Sequence, residues 1–225
     1  MHIPILYEDN HLLIVEKPVN IPVQEDRSKD KDLLTMLKEY IKEKYDKPGN
    51  VYLGLVHRLD RPVGGVIVFA KTSKAASRLA KSLQEGKFDR KYLAVTRGRP
   101  KQDKGMLKHY LLKDHKKNKV YSVQEGRKNA KLAVLEYEVL KEEKQLSLLS
   151  VTLHTGRSHQ IRVQLSETGC PLYGDQKYGE NINKPGQQIA LWAYSLQFDH
   201  PVKKEMVKIR SNPPKTYPWN LFHPI

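Results

Sequence analysis

The chain has one cysteine, Cys170, among 225 residues. No disulfide can form within one copy and no cysteine-ligated zinc site can be built, which fits a reducing compartment. Long apolar runs are also missing. No stretch approaches the ~18 apolar residues of a membrane helix, and Glu8, Asp9, Glu16 and Lys17 break up the apolar N-terminal residues, so no signal peptide is read there. The expected location is the cytoplasm, away from membranes. There is no Walker loop and no Gly-x-Gly-x-x-Gly; the Gly64-Gly65 pair alone is a weak sign of nucleotide binding. His154 and His159 lack a third ligand at a familiar spacing and the other histidines are scattered, so no metal is expected. A glycosidase needs two facing carboxylates; Asp89, Asp114 and Asp175 are present, but nothing marks one of them as such a partner.

Positive charge, by contrast, is abundant. Lys and Arg number 40 against 25 Asp and Glu, a formal net charge of +15, and the lysines are spread along the chain. A basic folded body binds polyanions in a salt-sensitive way, so a nucleic acid is the expected partner, the alternative being a lysine-rich enzyme surface. With 39% apolar residues the chain can bury a real core, and a single domain over residues 1–225 is expected. No heptad or large apolar patch is read, which makes a monomer the default.

The most informative stretch is His57-Arg58-Leu59-Asp60-Arg61-Pro62-Val63-Gly64-Gly65, set between the apolar runs Val51–Val56 and Val66–Ala70. An acid at the rim of buried strands loses solvation unless cations compensate, so Asp60 is either a structural ion pair with Arg58 or Arg61 or a functional carboxylate. The glycines remove side chains nearby and let a ligand or another backbone approach. Tyr92 and Arg162 read at first as ordinary residues, a strand tyrosine and a helix-surface arginine. Arg157 and His159 stand at a glycine-led helix start, where backbone N–H groups meet phosphate readily.

Local patterns give an α+β fold with a mixed, mainly antiparallel β-sheet and flanking helices. Ile3–Leu6 and Leu12–Val15 read as strands around Glu8-Asp9-Asn10. Leu33, Leu34, Leu37, Tyr40, Ile41 and Tyr45 recur at helical spacing, with Asp30 as the cap and Pro48-Gly49 as the stop. Thr72 or Ser73 caps a second helix carrying Ala76, Leu79, Ala80 and Leu83, ended by Gly86. Tyr92–Thr96 is a strand, Lys101–Arg127 a basic hairpin or loop, and Ala133–Leu140 and Leu146–Leu153 a strand pair. Ser158 caps a third helix, Ile189–Phe198 and Glu205–Ile209 are strands, and the proline-rich end after Asn212 reads as a loosely packed tail.

Three segments together resemble the RluA-type RNA pseudouridine synthases. They are Ile5–Pro18; His57-Arg58-Leu59-Asp60-Arg61 followed by Arg90-Lys91-Tyr92-Leu93-Ala94; and Thr155–Val163 continued by Gly169-Cys170-Pro171-Leu172-Tyr173-Gly174-Asp175. They cover nearly the whole chain in the family's order. Val63 and Gly64 stand where the family usually has Thr and Ser, and Asn20 stands where glycine is usual. Many relatives carry an N-terminal S4-like RNA-binding domain; Met1 lies immediately before the catalytic pattern, so none is expected here.

The resemblance implies a pseudouridine synthase-like catalytic domain that isomerises uridine in rRNA or tRNA stem-loops without a cofactor. Asp60 then matches the catalytic acid, attacking C1′ or removing the C2′ proton. Arg162 matches the arginine that pairs with that acid and favours its charged form. Tyr92 matches the tyrosine packed on the detached uracil. The uridine must be flipped out of its stack, and Arg58 is the candidate wedge. Phosphate contacts are expected from Arg61, Arg157, His159, Lys71, Lys74, Lys87, Lys108, Lys113 and Lys116. Two rivals remain, a non-catalytic RNA-binding or ribosome assembly factor and a hydrolase of glycosidic or phosphodiester bonds.

Overall fold

The computed structural model describes residues 3–26 and 28–224. The chain forms two compact units. The first runs to Asp89 and takes in Ala193–Ser211; the second holds Arg90–Trp192 and the residues from Asn212 on.

In the first unit, β1 (Ile5–Glu8) and β2 (Leu12–Lys17) form a hairpin, and β2 pairs antiparallel with β4 (Gly64–Ala70). Its turn is pinned by Asp9, whose Oδ1 accepts the N–H groups of His11 and Leu12 at 2.8 Å each. β3 (Gly54–Leu55) pairs with the end of β4 at Phe69 and Ala70. The apolar run Val51–Val56 contributes only these two residues to the sheet. β10 (Leu191–Asp199) also neighbours β4, and β11 (Met206–Arg210) closes against β10.

Helix α1 (Leu33–Lys44) starts where Asp32, not Asp30, takes the Thr35 N–H at 3.0 Å. Asp30 is drawn to Arg61 instead. The helix stops at Lys44, short of Pro48-Gly49, and buries Leu33, Leu37 and Ile41 at four-residue spacing. Helix α2 (Ser73–Gln84) is capped by Thr72 on the Ala75 N–H at 3.2 Å. It buries Ala75 and Leu79 against Leu12, Ile14, Val66, Val68, Leu196 and Phe198. A side chain such as Leu79, 1% exposed, contributes about 1.5–3 kcal/mol by leaving water.

The second unit orders its strands β5 (Asp89–Arg97), β9 (Leu146–Leu153), β8 (Lys131–Glu143), β6 (Lys104–Asp114) and β7 (Lys119–Val123). The basic stretch Lys101–Arg127 is thus a hairpin, with Asp114 opposite Lys119. Lys144 and Gln145 both have positive φ, the conformation a two-residue hairpin loop demands, and they join β8 to β9.

Helix α3 (Gln160–Glu167) corrects an expectation: Ser158 does not cap it. His159 occupies the cap position with φ 52°, and the Gln160 side chain reaches back, its Oε1 accepting the Arg157 N–H at 2.9 Å. The C-terminal segment also departs from the sequence reading. It forms a 3-10 helix, Trp219–Phe222, with Trp219 4% and Phe222 1% exposed, so aromatic burial overrides the prolines.

The α+β class and the mostly antiparallel pairing agree with the sequence reading, with three α-helices among the described residues.

Candidate active site

In the first unit, the segment between β3 and β4 carries Asp60. Leu59 and Val63, 6% and 2% exposed, sink into the core on either side of it. The Val63 N–H closes a turn on the Asp60 carbonyl at 3.0 Å. Asp60 is half-buried at the head of that turn, while Arg58 and Arg61 are exposed. Gly65 has φ 110°, and a Cβ there would fall 2.3 Å from the Ala193 carbonyl oxygen, so only glycine allows β4 to start this close to β10.

The turn is fixed from below by Lys17, at the end of β2. This lysine is 0% exposed, and its Nζ donates to the Pro18 carbonyl at 2.8 Å and the Arg61 carbonyl at 3.0 Å. Burial pushes its ammonium down to about 7; the attraction of Asp60 acts against this and the repulsion of Arg61 adds to it. Sequence reading passed over Lys17, whose only signal was a Lys-Pro step ending an apolar strand. Arg61 anchors the other flank, donating to the Asn20 carbonyl at 3.1 Å, to Ser28 Oγ at 2.9 Å and to Asp30. Asn20, at the position where glycine is usual, has φ 66°, a conformation asparagine tolerates.

In the second unit, Tyr92 lies on β5, 7% exposed, opposite Val151 of β9. Two residues earlier on the same face is Arg90, also 7% exposed. Arg162 is on α3, where its Nε and Nη2 donate to Asp175 at 2.8 and 2.9 Å. Asp175 is wholly buried, and its Oδ1 also accepts the Lys177 and Tyr178 N–H groups at 3.0 and 3.3 Å. The Arg162 guanidinium lies 5.2 Å from the Tyr178 ring centroid, and the Tyr178 hydroxyl bonds to His159 Nδ1 at 2.7 Å. Sequence reading set Asp175 aside as an unmarked acid. It is the carboxylate that holds Arg162.

The basic residues divide into committed and open ones. Lys71 is committed: its Nζ meets Glu8 at 2.8 Å and lies 4.7 Å from the Tyr45 ring centroid, with its side chain 9% exposed. Its charge is already met by a carboxylate, which sets it apart from the open lysines. Lys87 pairs with Glu85 at 2.8 Å but is exposed. Lys74, Lys108 and Lys116 are exposed and Lys113 is half-buried. Arg157 is exposed, with Nε on the Leu132 carbonyl at 2.9 Å. Its backbone N–H, expected to meet phosphate, is taken by Gln160.

The first unit thus holds an acid on a braced turn, and the second an arginine locked by a buried carboxylate and a strand tyrosine. The pattern described as RNA pseudouridylate synthase matches residues 11–167. The chain belongs to that family.

The pseudouridine synthases isomerise uridine in RNA, and this chain is of their RluA type. It is 35% identical to an uncharacterized RNA pseudouridine synthase of Aquifex aeolicus (strain VF5), over 96% of this chain and 71% of that protein. It is 34% identical to ribosomal large subunit pseudouridine synthase C of Buchnera aphidicola subsp. Schizaphis graminum (strain Sg), over 88% of this chain and 63% of that one. With ribosomal large subunit pseudouridine synthase D of Zymomonas mobilis subsp. mobilis the identity is 32%, over 94% and 69%. The chain therefore spans about two thirds of the length of such relatives. The solved structure of Human RNA Pseudouridylate Synthase Domain Containing 4 shares its fold, with a TM-score of 0.79 at 24% identity, covering 94% of this chain and 89% of that one.

Proposed function

We propose that this pseudouridine synthase acts on uridines in structured RNA, either large-subunit rRNA or a tRNA stem-loop, with Asp60 as its catalytic carboxylate. The observation that carries the reading is the setting of Asp60: one half-buried acid on a turn braced by Lys17 and Arg61. The names of the Buchnera and Zymomonas relatives favour rRNA as the first RNA to examine.

In this reading the N1–C1′ bond breaks, the uracil turns, and C5 joins C1′. The C5 proton is lost and N1 regains one, so strand length and mass are unchanged. Asp60 either attacks C1′ or takes the C2′ proton; both begin from the carboxylate. Arg162 is the cation that favours its charged form, and Tyr92 packs on the detached base. Arg58, exposed beside the acid, fills the gap left when the uridine flips, a step costing a few kcal/mol. Lys74, Lys87, Lys108, Lys113, Lys116, Arg157 and Arg61 offset that cost along the RNA backbone. The chain acts as one catalytic domain and as a monomer, in the cytoplasm with its substrate.

The test is pseudouridine mapping of total rRNA and tRNA, by carbodiimide labelling and primer extension, in wild-type, deletion and Asp60→Asn strains. A site lost on deletion, and restored by the wild-type gene but not by Asp60→Asn, supports the reading and names the target. A site restored equally by Asp60→Asn contradicts it.

A further inference from the structure

Arg90 is a buried cation that lacks a counter-charge among the described residues. It is 7% exposed, its Nε has no hydrogen-bond partner, and it makes no ion pair with any described residue. Among the described residues its electrostatic neighbour is Tyr92, two residues along the strand. Burial pushes the guanidinium below its ordinary value. Arg162, on α3 of the same unit, has the opposite arrangement, with a dedicated buried carboxylate. Burying an arginine with no partner is costly, and such a group is retained where a partner arrives from outside.

The surroundings say what kind of partner fits. Arg90 Nη1 is pressed against Gly156, where a Cβ would lie 2.6 Å from it. Gly156 and Arg157 are themselves exposed, so the guanidinium lies beside a surface glycine. Guanidinium presents a planar fork of N–H donors that matches a phosphate or carboxylate. A permanent, uncompensated positive charge calls for a permanent anion, and a phosphodiester has one. The uracil carries negative charge only while its bond to C1′ is broken.

We propose that Arg90 is a phosphate-binding residue of the substrate site, receiving one backbone phosphate of the RNA past the bare face of Gly156. This rests on the proposed function only in taking RNA as the ligand. Arg90 adds to the basic residues named from sequence a cation in reserve beside Tyr92, where it places a phosphate close to the strand that carries the tyrosine.

The experiment measures binding of a hairpin RNA with a uridine-containing loop, as a function of salt, to wild type, Arg90→Gln, Arg90→Lys and Gly156→Ala. Arg90→Gln is expected to bind about tenfold more weakly, the loss of one hydrogen-bonded charge, with the slope of log K against log salt smaller by about 0.7. Arg90→Lys keeps the slope. Gly156→Ala, which must displace the flexible guanidinium, weakens binding without removing charge, so a misfolded Arg90→Gln does not decide the matter alone. One loop phosphate, replaced by a neutral methylphosphonate, should weaken wild type and leave Arg90→Gln unaffected. Wild-type affinity and slope in well-folded Arg90→Gln overturn the proposal, as does a methylphosphonate effect equal in both proteins. Pseudouridine formation is scored separately on the same RNA. Arg90-dependent binding without pseudouridine contradicts the proposed function alone; pseudouridine with Arg90-independent binding contradicts the phosphate site alone.

Discussion

Arg162 and Asp175 meet through two hydrogen bonds, Nε to Oδ2 at 2.8 Å and Nη2 to Oδ1 at 2.9 Å, with both side chains buried. Asp175 is itself held by the Lys177 and Tyr178 backbone N–H groups. The plane of the guanidinium is therefore set by a turn of the chain rather than by solvent. Asp175→Ala leaves a buried charge short of its partner and is expected to lower stability by about 3–5 kcal/mol. Asp175→Asn keeps the shape and should lose less. Urea unfolding of both variants checks the order; equal, small losses would show that the pair does not support the fold.

Lys17 ties stability to pH. Burial holds its folded value near 7, against an ordinary 10.5 in the unfolded chain. Between those values the unfolded chain binds a proton that the folded chain does not, so stability rises with pH across that window and the penalty is full below it. Compared with Lys17→Met, wild type should gain stability from pH 7 to 10 at up to about 1.4 kcal/mol per pH unit. Parallel stability curves for the two proteins would mean that Lys17 stays charged.

Glu8 acts in the opposite direction. Burial alone would raise its carboxyl, but donors from Lys44, Lys71, Tyr45 and Tyr40 outweigh it and bring it down to about 2. Its contribution is present above the ordinary value of 4.5 and is lost as pH falls toward 2. Glu8→Gln should therefore be less stable than wild type at neutral pH, on the order of 1–3 kcal/mol, and the gap should close in acid titration.

Lys71 and Lys116 should separate stability from RNA binding. Lys71→Gln breaks a nearly buried pair with Glu8 and should lower the melting temperature while leaving the salt dependence of RNA binding alone. Lys116→Gln, on an exposed turn, should do the reverse and reduce the salt slope by about 0.7. A salt slope that responds to Lys71→Gln would return that lysine to the RNA surface.

Local signals were legible where the deciding contact is close in sequence. Thr72 capping Ala75 is a three-residue affair, and the hairpin joined by Lys144 and Gln145 follows from its flanking strands. The misreadings have distant causes. Asp30 reads as the cap of α1 until Arg61, 31 residues away, claims it and the cap falls to Asp32. Ser158 looks like a cap until the Gln160 side chain turns back onto Arg157. Asp60, Tyr92 and Arg162 stand out in the sequence by motif. The groups that hold them in place do not, because Lys17 meets a carbonyl 44 residues away and Asp175 needs the turn after α3 to bring it to Arg162. Charge pattern likewise gave no sign that Lys71 pairs with Glu8, 63 residues back.

The most direct measurement of the central claim uses purified protein on RNA carrying tritium at uridine C5. Joining C5 to C1′ releases that label to water, so wild type should release it while the RNA keeps its length and no free uracil appears. Asp60→Asn should bind the same RNA with similar affinity and release label more slowly, by at least on the order of 10²-fold. Equal release by Asp60→Asn, free base, or cut strands would contradict the account.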